Sequence, residues 1–352
     1  MPTTALRHVF LATLACCCLA LLPRSAGAAI ASGPMHWSRP AFSGNDQAVE
    51  HLTIRARAGA HDTFIRFAIA NAGFKRGELT VTLRQESSAG TIYARQTFDK
   101  TQYRVHADHF GIRAGKHTVD LTGGQLVLHL DFGNVIADAT MSAWSSTFAV
   151  SDRSGGGYVA RNLLVPIGKL AIKATDSATR TVDLAATGFA VHEASTVTAH
   201  QVYDRSVQVH SLSGGNYLVL DYIVLPSSRG NRPLGFAVVS GKGKTFVGEV
   251  QKETRENEKP DGSNGYKVPY LVSALGKRGE ARAAIRLTGE RQVAREDDLA
   301  DLNFVLRKAV AALMHPVTYT LKAEAVSEVQ LLPAEPPVVL TGAVRYKYSQ
   351  VR

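Results

Sequence analysis

The chain has 352 residues, 45% of them hydrophobic, a formal net charge of +10 and three cysteines. That length admits one large domain or two of ordinary size, and two are expected. All the cysteines (Cys16, Cys17 and Cys18) lie in an apolar start, so the rest of the chain excludes disulfides, redox thiols and thiolate metal sites.

Residues 1–28 read as an export signal. Arg7 precedes an apolar run from Val9 to Leu22, and Ala26-Gly27-Ala28 has the small-residue pattern of a signal-peptidase site. The run is too short for a membrane span. Cleavage after Ala28 and a periplasmic or secreted location are expected; lipidation at Cys16 is the rival, because Thr13-Leu14-Ala15-Cys16 loosely resembles a lipoprotein site. The signal holds Arg7 and Arg24 and no acid, so its loss lowers the net charge by two. In an exported protein such a balance suits transient contact with an anionic membrane surface, with solubility alone as the equal alternative; no nucleic-acid partner is expected.

From about residue 50 to 250, period-two alternation dominates. "HDTFIRFAIAN", "ELTVTLRQ" and "QLVLHLDFGN" alternate apolar and polar positions, and "RSVQVHSL", "NYLVLDYIVL" and "PLGFAVVS" continue the series. Turn formers separate them, among them Thr122-Gly123-Gly124 and Gly241-Lys242-Gly243. Many short strands with tight turns predict antiparallel barrels or sandwiches. The absence of a strand–helix–strand rhythm excludes a nucleotide-binding α/β fold. Gly-Lys-Gly-Lys at 241–244 is read as a hairpin turn, since no helix follows to make a phosphate loop.

Within this region, "RVHADHFGIRAGKH" holds His106, His109 and His117. Their spacing fits no known ligand set, and the stretch is read as a solvated hairpin. Trp37 and Trp144 are read as packing residues that close the first barrel, with Trp144 kept among the candidate ligand contacts. "RNLLVPIGKLAIKA" at 161–174 is the expected passage between domains, because Pro166-Ile167-Gly168 should break a strand. It gives a first barrel over 29–165 and a second over 166–352.

"GFAVHEASTVTAHQVYDR" at 188–205 carries the densest polar chemistry. If "GFAVH" is a strand, His192 and Glu193 point to opposite faces and cannot act as an acid–base pair. Thr196 stands where a His-Glu-x-x-His zinc motif needs its second histidine. No metal site, cofactor or assigned catalytic residue follows. Three readings stay open for His192 and His200: hydrogen-bonded plugs at a barrel end, contacts to a ligand's polar end together with Tyr203 and Arg205, or acid–base catalysis aided by Tyr203 or Asp204. Further on, the polar stretch 251–265 predicts an exposed loop or hairpin tip. "REDDLADLNFVLRKAVAALMHP" predicts an amphipathic helix over about 295–315, opened by acids and closed by Pro316. Strand patterns then return.

These segments resemble a known family. "RNLLVPIGKLAIKA", "GFAVHEASTVTAHQVYDRSVQVHS" and "LADLNFVLRKAVAALMHPVTYTL" are similar to stretches of the tandem calycin (double lipocalin-like barrel) proteins related to the fungal oxidative-stress survival factor. Bacterial carotenoid hydratase and tocopherol-cyclase-like proteins are more distant relatives. The tryptophan that usually follows the arginine of the second stretch is missing, since Ser206-Val207 follow Arg205. The resemblance implies an all-β chain of two fused antiparallel barrels holding an apolar lipid ligand, with ceramide-like sphingolipid transfer in the survival-factor branch. The expected function is therefore an exported lipid-binding or lipid-transfer protein with its ligand inside a barrel. The alternative is a lipid-modifying enzyme of the hydratase or cyclase type acting on an isoprenoid-like substrate.

Overall fold

The computed structural model describes residues 37, 48–72, 75–88, 90–143, 147–154, 157–176, 181–197, 202–213, 215–255, 259–261, 265–267, 270–276, 280–297, 308 and 317–350. The expected signal, Trp144 and His200 lie outside them. The fold is all-β, with two antiparallel barrels, one closed and one nearly so.

The first unit is a twelve-stranded sheet. It is built from β1 (Val49–Ala58), β2 (His61–Ala72), β3 (Lys75–Ser87), β4 (Gly90–Phe98), β5 (Tyr103–Val105), β6 (Gly111–Ala114), β7 (His117–Thr122), β8 (Gln125–Asp131), β9 (Val135–Ala143), β10 (Phe148–Asp152), β11 (Val159–Asp176) and β12 (Thr181–Ser195). The strands run in the order β4-β3-β2-β1-β12-β11-β9-β8-β7-β6-β5, with β10 added beside β11. Side chains link the sheet's two ends. Tyr103 on β5 donates its hydroxyl to the carbonyl of Gly77 on β3 at 2.8 Å. His117 on β7 meets Gln96 on β4 at 3.0 Å. His117, expected on a solvated hairpin, is fully buried against Phe98 and Phe132; burial pushes its pKa down to about 4, so it is neutral.

"RNLLVPIGKLAIKA" does not leave this sheet. It forms most of β11, whose first half pairs with β10 and whose second half pairs with β9. Pro166 lacks an N–H for the ladder, and the register against β12 slips between Leu163 and Gly168. The proline makes a bulge in one strand and does not end it. After the turn, β12 pairs with β1 from Thr187 opposite Arg57 to Ser195 opposite Val49. The expected boundary at 165/166 is therefore corrected: both strands belong to the first unit, and the second begins at β13 (Arg205–Ser213).

The second unit is a closed eight-stranded barrel. β13 is followed by β14 (Asn216–Val224), β15 (Pro233–Gly241), β16 (Lys244–Arg255), β19 (Tyr270–Gly276), β20 (Arg282–Asp297), β21 (Val317–Gln330) and β22 (Val338–Gln350), which pairs back onto β13. Lys242 and Gly243, both at positive φ, make the two-residue turn between β15 and β16, as expected for a hairpin. In the polar stretch 251–265, the first five residues complete β16. A small hairpin, β17 (Lys259–Asp261) with β18 (Gly265–Lys267), follows. The late helix is corrected at its start. Arg295, Glu296 and Asp297 pair with Tyr319, Thr318 and Val317, so the ladder with β21 overrides the helix-opening preference of the acids. Residues 298–307 and 309–316 lie outside the described part.

Alternation builds two barrel cores, and its interruption builds a third. In the first barrel Leu52, Ile54, Ile65, Phe67, Leu79, Val81, Leu83 and Leu126 turn inward at 0% exposure. Val207, Leu220, Tyr222, Val272, Ile285 and Leu287 do the same in the second. Side chains so enclosed border no space that water could enter. The third core lies between the units. β11 and β12 alternate in their outer halves but are buried on both faces from Val159 to Gly168 and from Gly188 to His192, aside from Asn162. β14 and β15 are likewise buried almost throughout. Phe189, Val191, Leu163, Val219, Ile223, Phe236 and Val238 join there. This explains the nearly unbroken apolar run of "NYLVLDYIVL": one face fills a barrel and the other seals the units together.

Gly188 sits where the two-sided burial starts, opposite Ala56 on one side and Gly168 on the other. A Cβ there would fall 2.2 Å from the carbonyl oxygen of Arg55 and 2.5 Å from the Ala56 Cβ. Gly188→Val is expected to cost about 1–3 kcal/mol in chemical denaturation, and an unchanged midpoint would contradict this packing.

Candidate functional site

The strand period decides which side chains reach the junction. On β1, Glu50, Leu52 and Ile54 enter the first barrel, while Val49, His51, Thr53 and Arg55 face the second unit. β2 contributes Phe64 and Arg66 to that outer face, β11 contributes Arg161, and β12 contributes Phe189, Val191 and Glu193. Ser206, Gln208, Asp221 and Ile223 of β13 and β14 face them. Between the two surfaces lies a cleft of about 400 Å³, with Val197, Val202 and Tyr203 on its border. Its size falls in the range of small-molecule sites, roughly 300–1,000 Å³.

Arg161 organises the polar part. Its guanidinium is 2% exposed and donates from Nε to Glu193 Oε1 at 2.5 Å. From its terminal nitrogens it donates to Asp221 Oδ1 at 2.7 Å and to the Asp221 carbonyl at 3.1 Å. The group also lies over the Phe236 ring at 5.5 Å. Burial alone would lower the Arg161 pKa, but the two carboxylates outweigh it and raise it, so the cation is secure. Burial would raise the pKa of Glu193; Arg161 and His51 reverse this and hold it well below the usual carboxylate range.

His51 completes the arrangement. Its Nε2 lies 2.7 Å from Glu193 Oε2. Burial lowers its pKa more than Glu193 raises it, so the ring is neutral. An ionised Glu193 only accepts, so the neutral ring carries its proton on Nε2 and presents a bare lone pair at Nδ1. That Nδ1 atom is buried and has no hydrogen-bond partner among the described residues. Neither has the buried Nε–H of Arg66 on the same wall. Both residues line the cleft, so its wall contains one unused acceptor and one unused donor, enclosed atoms that native interiors seldom leave unsatisfied.

Of the residues expected from sequence, Tyr203 reaches this cleft. His192 and Glu193 do point to opposite faces. His192 turns into the first barrel, where its Nε2 meets Glu50 Oε1 at 2.7 Å and its ring stands edge-on to Trp37 and Phe110. His192 is thus buried and hydrogen-bonded within the first barrel. Trp37, 2% exposed and stacked on Phe110, packs into the first core as expected. Arg205 lies elsewhere, paired with Glu253, which also accepts from the Tyr222 hydroxyl. Sequence reasoning missed His51, Arg66, Arg161 and Asp221. One signal was present: polar residues recur at alternate positions in "EHLTIRAR" and "TFIRF", opposite wholly apolar ones.

No protein-family model and no curated protein matches the sequence. Solved structures match the fold. The structure of CghA with Sch210972 superposes with a TM-score of 0.56 at 9% identity, covering 87% of this chain and 89% of that one. A protein described as AttH from Nitrosomonas europaea gives 0.47 at 11% identity, with 92% and 100% covered. Kievitone hydratase from Nectria haematococca gives 0.44 at 10% identity, with 93% and 94% covered. At these identities the likeness concerns the fold.

His210 reports on the junction. It stands edge-on to Phe189 across the interface, and burial, aided by Arg55 and Arg57, pushes its pKa down to about 3. An unfolded histidine titrates near 6.5, so between pH 6.5 and 3 the unfolded chain binds a proton that the folded one refuses. Stability from this group is complete above pH 6.5 and falls as the pH drops through that window. His210→Phe is expected to flatten the fall in urea-denaturation stability between pH 6.5 and 4; an identical pH profile would contradict its neutral burial.

Proposed function

We propose that the protein binds an amphipathic small molecule, apolar in body and acidic or hydroxylated at one end, in the cleft between its two units. One observation carries this reading: a cleft of about 400 Å³ whose wall holds a buried acceptor and a buried donor without partners, beside Phe64, Phe189, Val191 and Ile223. The apolar surface would take the body at roughly 25 cal/mol per Å² buried. Arg66 would take an anionic or hydroxyl end, and His51 Nδ1 a donated proton. The tight burial of Leu52, Ile54, Phe67, Leu220 and Tyr222 inside the barrels favours this junction over the expected barrel cavity. The cleft's size favours a single acyl chain or a compact ring system over a two-chain ceramide. The export-like start and the basic charge support activity outside the cytoplasm, near an anionic membrane that supplies such molecules.

Titration with a fluorescent fatty acid tests this. Saturable binding is expected, weakened about ten- to a hundredfold in Arg66→Met, the worth of a hydrogen bond to a charged group. Binding should survive in Leu52→Ala, whose side chain lies inside the first barrel. No saturable binding, or wild-type affinity in Arg66→Met, would overturn the proposal.

The His51–Glu193 pair favours a second reading, in which the cleft performs acid–base chemistry on an isoprenoid-like molecule. A neutral imidazole oriented by a carboxylate is a competent general base, and proton transfer of this kind contributes about 10²–10⁴-fold in rate. On this reading His51→Gln loses turnover by that factor while ligand affinity changes less than about threefold. Absence of product from the wild-type protein, or undiminished turnover in the variant, would dispose of it.

A further inference from the structure

The loop between β5 and β6 brings together groups that do not line the cleft. The amide of His106 donates to the Gly111 carbonyl at 3.0 Å, and that of Leu121 donates to the Phe110 carbonyl at 2.9 Å. These bonds fold residues 106–111 over β7, where Gly111 lies directly opposite Asp120 in the ladder. As a result His106, His109 and Asp120 converge, one ligand-type atom from each lying within 4.8 Å of the others. His109 Nε2 is 3.1 Å from Asp120 Oδ1, and His106 Nε2 is 3.9 Å from the same oxygen.

We propose that His106, His109 and Asp120 form a binding site for a divalent transition-metal ion of the zinc type.

Three features of the geometry support the assignment. First, zinc bonds of about 2.0–2.1 Å at tetrahedral angles separate ligand atoms by roughly 3.4 Å, a value that the distances of 3.1 and 3.9 Å bracket. Small rotations of the two imidazoles, each a little over one-third exposed, complete the convergence. Second, His109 has a carboxylate behind it: its Nδ1 lies 2.9 Å from Asp108 Oδ1. A proton held on Nδ1 by Asp108 leaves the Nε2 lone pair for an ion, the arrangement in which metal-bound histidines are generally held. Third, Gly111 makes the space. A Cβ at that position would lie 2.4 Å from Asp120 Oδ1, 2.9 Å from His109 Nε2 and 3.0 Å from His106 Cδ2, in the middle of the three groups. Two imidazoles and one carboxylate suit zinc and its neighbours better than calcium or magnesium, and they leave a position for water or a second ligand.

The site is joined to the first core. Phe110, between His109 and Gly111, is buried, stacks on Trp37 at 5.4 Å and meets His192 edge-on at 5.2 Å. An ion bound to both histidines holds the loop that inserts this ring.

The full exported chain, freed of any affinity tag and stripped with chelator, is dialysed against Zn(II) at neutral pH. About one equivalent should remain bound, with a rise in melting temperature. His106→Ala and Asp120→Asn should each weaken binding at least about tenfold. Gly111→Ala, which removes no ligand, should do the same. His129→Ala, on a surface histidine paired with Asp138, should bind as wild type. Each variant's metal-free melting confirms folding. Co(II) provides an independent readout: visible ligand-field bands present in the wild type and His129→Ala and lost in Gly111→Ala. Less than about a tenth of an equivalent bound by the wild type, wild-type binding by Gly111→Ala and Asp120→Asn, or loss of binding in His129→Ala would each overturn the site.

Discussion

The buried guanidinium of Arg161 is the interaction on which the junction depends. It projects from the first unit, holds Glu193 of the neighbouring strand and reaches across to both the side chain and the carbonyl of Asp221 on the second unit. Such a group is costly to bury unless every donor is used, and removing one partner of a buried ion pair costs about 3–5 kcal/mol. Its position therefore fixes several others. Glu193 stays ionised, His51 is given its tautomer, and β12 is held against β14 at the depth where the cleft opens. A second link, Asp152 with Arg229 and Arg232, ties β10 to the turn after β14 in the same sense. The apolar surface around Arg161 seals the units; the ion pairs set their register.

This arrangement also accounts for where a ligand can go. Eight-stranded barrels are just wide enough for side chains to fill or for one small guest. Here Tyr222, Tyr346 and Tyr348 add bulk to the eight-stranded second barrel, and Leu, Ile, Val and Phe fill the first unit, whose sheet has twelve strands. The cleft of about 400 Å³ opens where the outer faces of the two units meet. Such a junction gives a ligand two different walls: aromatic and aliphatic groups from both units, and a charged strip from β1, β2 and β11. Binding there would also couple ligand to the relative setting of the barrels, which a ligand sealed inside one barrel would not.

Much of this was legible in the sequence, and the parts that were not share a cause. Period-two alternation identified the strands, the turn residues identified hairpins such as that at Lys242-Gly243, and strand geometry alone separated His192 from Glu193. Long-range pairing is what alternation cannot supply. Nothing local to Glu193 names His51, 142 residues away, as its partner; β12 must first be known to lie beside β1. The same gap placed the domain boundary at Pro166, where a bulge imitates a strand end. It also hid the convergence of His106 and His109 with Asp120, which arises from the ladder between β6 and β7 and not from spacing along the chain. Runs buried on both faces, as in "NYLVLDYIVL", were the available sign that a barrel strand also serves a second interface.

The central claim is that the binding space lies between the barrels and not within them. Photo-crosslinking with a diazirine-bearing fatty acid, followed by peptide mapping of the adducts, addresses it directly. Adducts confined to the cleft residues of β1, β2, β12, β13 and β14, such as Phe64, Val191 and Ile223, are the expected result. Adducts on inward-facing residues such as Leu52, Phe67 or Leu220 would contradict it.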